Sequence, residues 1–239
     1  FAMVDRIAPN PNSDASFESW ISHATHFITC SISEGFGLVF LESIAYGKPL
    51  IGRKIEHISN DLAKHGIEYD GLYEKILIPA DWVPHAILEE HVKNSFTRLW
   101  QSWNREVGAG ECESVMTSMD HDGFLDFGNL PEALQETIIE KLLDPDHHAI
   151  PQLLINGRTR PLKAWIEDSL TRNHQTQAPQ VPKAFTIAVH GEQTIAIHAM
   201  VMTQIPSPPA ALDPNDILET FLVADEFHFL KSPPDPNID

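Results

Sequence analysis

The chain has 239 residues, 42% of them hydrophobic, enough apolar material for a real core, which excludes wholesale disorder. Its 16 basic and 34 acidic residues give a net charge of -18, a surface that repels nucleic acid and anionic lipid and argues against both as partners. Two cysteines, Cys30 and Cys112, make no disulfide framework and fit a reducing, cytoplasmic setting, and no run approaches the ~18 apolar residues of a membrane span.

Residues 1–16 carry little pattern: Ala2, Met3 and Val4 fit a strand remnant, and 9–14 is rich in turn formers. Apolar residues at Phe17, Trp20 and Ile21 predict a short helix over 17–23. Residues 27–30, Phe-Ile-Thr-Cys, suit a buried parallel strand. Apolar residues at 38, 39, 40, 41, 44 and 45 predict a helix over 38–46 buried on a broad face. Gly47 suits the left-handed position past its end, and Pro49 the position beyond. Residues 49–52 read as the next strand. Strand, helix and strand within about 26 residues form one compact parallel crossover unit.

Downstream, the pattern predicts a helix over 58–65 ended by Gly66, a strand over 75–79, and an amphipathic helix over 86–103. Residues 107–119, polar and glycine-containing, read as a loop. A helix over 131–143 has Asn129 as its cap and Pro131 in its first turn. Two more helices are predicted over 150–156 and 162–171. Residues 173–182 have linker composition, and 184–202 alternate as two strands hinged at Gly191. A proline-rich spacer over 206–214, an amphipathic helix over 216–230 and a tail over 232–239 complete the chain.

The chemistry concentrates between the strand at 27–30 and the helix at 38–46. Glu34, Gly35, Phe36 and Gly37 fall at the carboxyl end of the strand, where open α/β sheets bind ligands. Glycine lets backbone approach a ligand closely. The first N–H groups of the helix have no partners within it and favour anionic oxygen. Glu34 and Glu42, eight positions apart, can each accept hydroxyl hydrogens, as a sugar joined to a diphosphate requires. Spacing alone is equally met by a structural turn, with Glu42 an ordinary helix-surface carboxylate and Glu34 favoured near the helix start by its charge.

Ser31, Glu34, Gly35, Phe36, Gly37, Leu38, Glu42, Ala45, Gly47 and Pro49, in that order and spacing, resemble the group-1 family of retaining glycosyltransferases, which includes sucrose and glycogen synthases. The close likeness covers about a tenth of the chain, from Phe27 to Pro49. It implies two Rossmann-like lobes of GT-B type, of which this chain would be the second, an α/β lobe with a parallel sheet, flanking helices and a C-terminal extension. The domain division that follows is a nucleotide-sugar-binding lobe over 1–175 with a helical C-terminal part, then a linker and small accessory or tail segment over 176–239. The resemblance implies that Glu34 contacts the donor sugar and is the catalytic carboxylate, that Glu42 holds the ribose, and that the amides from Gly35 through Leu38 lie near diphosphate and sugar. It implies transfer from a nucleoside-diphosphate sugar to an acceptor with retention at the anomeric carbon, without a metal or other cofactor.

The family's arginine and lysine, well upstream of the glycine loop, have no counterpart among the 33 residues before Glu34. An upstream acceptor lobe is therefore expected outside this chain, the more so as Phe1 opens what reads as mid-domain sequence. The family's Gly-x-Pro-Glu after the next strand is replaced by Gly52-Arg53-Lys54-Ile55-Glu56, in which Arg53 and Lys54 either reach a phosphate or form a solvated loop. Two alternatives stand beside the transferase: a non-catalytic nucleotide-sugar-binding lobe, favoured by the missing basic pair, and an epimerase-like sugar-nucleotide enzyme.

Other signals read as structural. Asp120-His121-Asp122 is an acidic turn rather than a metal site, and His147-His148 a loop between helices. Cys30 reads as a small buried apolar residue, and Trp100 and Trp103 as core.

Overall fold

A computed structural model of the protein describes residues 17–144, 146, 149–171, 181–203 and 213–221. The expected features at 1–16, most of the 173–182 linker and 206–214 spacer, His147-His148 and everything past 221 lie outside the described residues. The chain divides into two compact units, residues 1–72 with 166–204, and residues 73–165 with 205–239.

The first unit holds α1 (Phe17–His23), β1 (Phe27–Thr29), α2 (Leu38–Ala45), β2 (Leu50–Arg53) and α3 (Glu56–Ala63). β1 and β2 run parallel, pairing Phe27 with Leu50, Ile28 with Ile51 and Thr29 with Gly52. A short β3 (Leu72–Tyr73) completes a sheet of order β1-β2-β3. This is the α/β arrangement of parallel strands and flanking helices expected from the crossover pattern. The strands are short because their apolar runs are short, and the helices supply most of the core: Phe40, Ile44, Ile55, Ile58, Leu62 and Ile67 are buried together with Leu50 and Leu72. α2 ends as expected. Gly47 has φ 61° and donates to the Ile44 carbonyl, while the Lys48 amide reaches back to Ser43. β1 differs from expectation: Ile28 is 62% exposed and Cys30 is exposed. β1 is the edge of its sheet, so one of its flanks has no neighbouring strand among the described residues.

The second unit is built on an antiparallel sheet. The strand expected at 75–79 forms as β4 (Lys75–Pro79), but it pairs antiparallel with β5 (Phe124–Asp126) and β6 (Gln152–Ile155), and β7 (Arg158–Pro161) completes the order β5-β4-β6-β7. α4 (His85–Ser102), α5 (Glu111–Met119) and α6 (Glu132–Leu143) cover it, burying Val92, Phe96, Trp100, Leu130 and Ile138 with Ile78 of β4. Trp100 lies against Phe96 with ring centroids 4.1 Å apart and planes tilted by 33°, whereas Trp103, past the end of α4, is 52% exposed.

Four local expectations are corrected. Residues 107–119 are not all loop, because Cys112, Val115, Met116 and Met119 recur at helical spacing and turn α5 onto the core. Residues 150–156 are not a helix: β6 turns into β7 through Asn156 and Gly157, both with positive φ (49° and 72°), a tight hairpin turn. Residues 184–202 are not two strands, since α8 (Ile187–Thr203) runs unbroken through Gly191. The expected helices at 162–171 and near the C-terminus form as α7 (Leu162–Thr171) and α9 (Pro214–Phe221). Asn129 does not cap α6, which begins at Glu132 behind an extended Pro131. No helix among the described residues is long and apolar enough to cross a membrane.

Candidate functional site

β1 and β2 are parallel, so whatever follows Thr29 and whatever follows Gly52 emerge at the same edge of the sheet. From β1 come Glu34, Gly35, Phe36 and Gly37, leading into α2. From β2 come Arg53, Lys54 and the first turn of α3.

Gly37 is the residue on which the turn depends. It precedes α2 with φ 69° and ψ 51°, a left-handed conformation that side chains disfavour. A β-carbon there would lie 2.6 Å from Ile58 Cδ1 of α3, so the turn sits tight against the neighbouring helix. Gly35 differs, being exposed with nothing within 4 Å of a built β-carbon and no positive φ. The first turn of α2 has neither a side-chain cap among the described residues nor an acidic side chain of its own. Its amides thus keep their preference for a negatively charged oxygen. Phe36 (63% exposed) and Leu38 (58% exposed) flank that end of the helix with uncovered apolar surface.

The two carboxylates are both half-buried, Glu34 in the loop and Glu42 in the second turn of α2. The Glu34 carbonyl accepts a hydrogen bond from His57 Nε2 of α3 at 3.1 Å, which ties the loop after β1 to the segment after β2. α2 itself is anchored through Tyr69, which lies outside it. The Phe40 carbonyl accepts from the Ser43 hydroxyl at 2.8 Å and from the Tyr69 hydroxyl, and the Tyr69 ring meets Phe40 edge-on at 5.7 Å. Burial pushes the Tyr69 phenol above its ordinary pKa, so it stays a neutral donor to that carbonyl. Glu42 therefore projects from a helix whose position is held by both packing and hydrogen bonds.

Arg53 is not in a solvated loop. It is the last residue of β2, and it is buried, while Lys54 beside it is half-buried. Gly52 before it has φ 134°, and a β-carbon there would fall 2.0 Å from the Thr29 carbonyl oxygen. The expected residues thus divide by chain position: Glu34 through Leu38 and Glu42 belong to the turn and α2, and Arg53 joins them at the same sheet edge from β2. Sequence reasoning missed His57. Its signal lay in applying the strand-end rule to the second strand as well as the first.

No family model, curated protein or solved structure matches this chain. What the arrangement can do follows from its chemistry: uncapped helix amides for an anion, two half-buried carboxylates for hydroxyls, and a cation at the adjoining strand end.

The remaining polar clusters fall elsewhere. Asp120 accepts from the Gly123 amide at 2.7 Å and Asp122 takes φ 54°, which makes the Asp-His-Asp segment a closed turn. His121 in that turn lies 2.6 Å, Nε2 to Nζ, from Lys75 of β4. Burial first, and the Lys75 charge second, hold the His121 imidazole below its ordinary pKa. The neutral ring accepts from the lysine. Among the described residues no three histidine, cysteine, aspartate or glutamate side chains converge as a metal site would need.

Proposed function

We propose that this chain is the donor-binding lobe of a retaining glycosyltransferase of the two-lobed GT-B plan, and that it binds a nucleoside-diphosphate sugar at the carboxyl edge of the β1–β2 sheet. The observation that carries the reading is the turn into α2: a left-handed Gly37 pressed against Ile58, uncapped helix amides behind it, and a half-buried carboxylate on either side. In this reading the amides from Gly35 through Leu38 take the diphosphate and the sugar edge. Glu42 accepts from the ribose hydroxyls and Glu34 from the donor sugar near the reacting carbon. Arg53 supplies positive charge toward the leaving diphosphate, which matters in a chain of net charge -18. The sugar is transferred with retention to an acceptor bound by a lobe outside this chain, and the departing diphosphate oxygen helps take the acceptor's proton.

Titration calorimetry with UDP-, GDP- and ADP-sugars tests the reading. One of the three is expected to bind saturably. Glu42→Ala should weaken it by roughly tenfold to a hundredfold, the equivalent of a lost charged hydrogen bond of ~1.5–3 kcal/mol. Unchanged affinity in Glu42→Ala would remove the ribose assignment. A non-catalytic nucleotide-sugar-binding lobe is the second reading, favoured by the absence of a basic pair among the 33 residues before Glu34. It predicts the same binding with neither transfer nor donor hydrolysis once the upstream lobe is supplied.

A further inference from the structure

A cavity of about 790 Å³ lies wholly within the second unit, between α4, α5 and the start of β5. That volume is in the range of small-molecule sites. Its floor is apolar: Val83, Leu88 and Leu125 are buried members of the core, and Met116 is packed against them. Its rim is charged and exposed. Glu89 of α4, Glu113 of α5 and Asp120 of the following turn contribute three carboxylates, against the single ammonium of Lys93. His85 Nδ1 lies 3.8 Å from Glu89 Oε2, beyond hydrogen-bond length, and pairs with it as a charge only when the imidazole is protonated. An apolar floor offers no ligands to a small hydrated inorganic ion, and a rim dominated by carboxylates repels anionic ligands.

We propose that this cavity is a binding site for a small organic cation, an amine carried on an apolar body, with the hydrocarbon over Leu88 and Met116 and the ammonium at the acidic rim that Glu89, Glu113 and Asp120 line. The site is independent of the sugar-nucleotide reading, since every residue of it belongs to the second unit. It also carries its own reporter. Cys112 lines the cavity and is half-buried, and burial keeps its thiol above the ordinary pKa, so it reacts slowly and an occupant should slow it further.

The test uses the full chain with Cys30→Ser, which leaves Cys112 as the single thiol. Hexylammonium, hexanol and hexanoate are titrated by calorimetry and by maleimide labelling of Cys112. Hexylammonium is expected to saturate and to slow labelling, binding at least tenfold more tightly than hexanoate and more tightly than hexanol. The surface double substitution Glu89→Gln with Glu113→Gln should weaken hexylammonium at least tenfold. Met116→Trp, checked for a retained cooperative melt, should abolish the protection of Cys112. Equal binding of hexylammonium and hexanoate, no saturation by amine concentrations on the order of 10 mM, or undiminished binding in a folded Met116→Trp protein would each overturn the proposal.

Discussion

Three glycines near the candidate site have different physical jobs, and alanine distinguishes them. At Gly35 an added methyl meets nothing, so Gly35→Ala should change stability by no more than ~0.5 kcal/mol. At Gly37 it meets Ile58 and imposes a left-handed conformation on an L residue, which costs about 1–2 kcal/mol before any repacking. At Gly52 it would overlap the Thr29 carbonyl of the paired strand, so Gly52→Ala is expected to abolish cooperative unfolding of the first unit. Urea denaturation of the three variants orders them, and a Gly52→Ala protein as stable as Gly35→Ala would contradict the close approach of β1 and β2. Part of this was legible beforehand. Gly37 and Gly47 stand where strand-to-helix and helix-to-strand turns need them, and both take positive φ. The strand-end rule places His57 near the site, but its bond to the Glu34 carbonyl depends on α3 returning to the loop after β1, which no local pattern encodes.

Elements with a strong apolar period, α2 and α4 above all, were visible to within a residue or two. Misreadings came where two periods fit the same letters. Leu153, Leu154 and Ile155 suit either a buried helix turn or a strand, and the Asn156-Gly157 pair that follows was the arbiter. In α8 the apolar residues lie all round the helix rather than on one face, with Ile187 92% and Ile195 71% exposed, so the sequence resembled strand alternation. α8 yields a direct check of its helical state. Gly191 lies mid-helix with open space around it, so Gly191→Ala should raise helical content by far-ultraviolet circular dichroism and stabilise α8 by ~0.5–1 kcal/mol. A loss of helicity would point instead to a hinge at that position.

The stability of the molecule as a whole should carry a signature of His121. Its folded pKa lies below the unfolded value near ~6.5, so the unfolded chain binds the proton more readily. The contribution is complete above the unfolded pKa and is lost as pH falls through that value toward the folded one, where a second cation would stand beside Lys75. Acid also relieves the self-repulsion of a chain at -18, which acts in the opposite direction. Urea midpoints from pH 8 to pH 5 in the parent and in His121→Gln separate the two, and the parent should lose more stability over that window than the variant. Parallel slopes would remove the assignment. The division into two units was hidden in the sequence for a related reason: it depends on contacts between residues more than a hundred positions apart. Val181 and Phe185 pack on the Phe40–Ile58 core, and Phe185 meets His65 edge-on at 5.0 Å.

That last contact bears on how the protein is made. Emerging from a ribosome amino end first, the stretch bearing the glycine turn must wait, its hydrophobic interior open on one side, until Phe185 has been added. At ~5–20 residues per second the delay is on the order of 10 s. A newborn chain stalled anywhere in that interval would display a half-finished crossover to whatever holds nascent polypeptides.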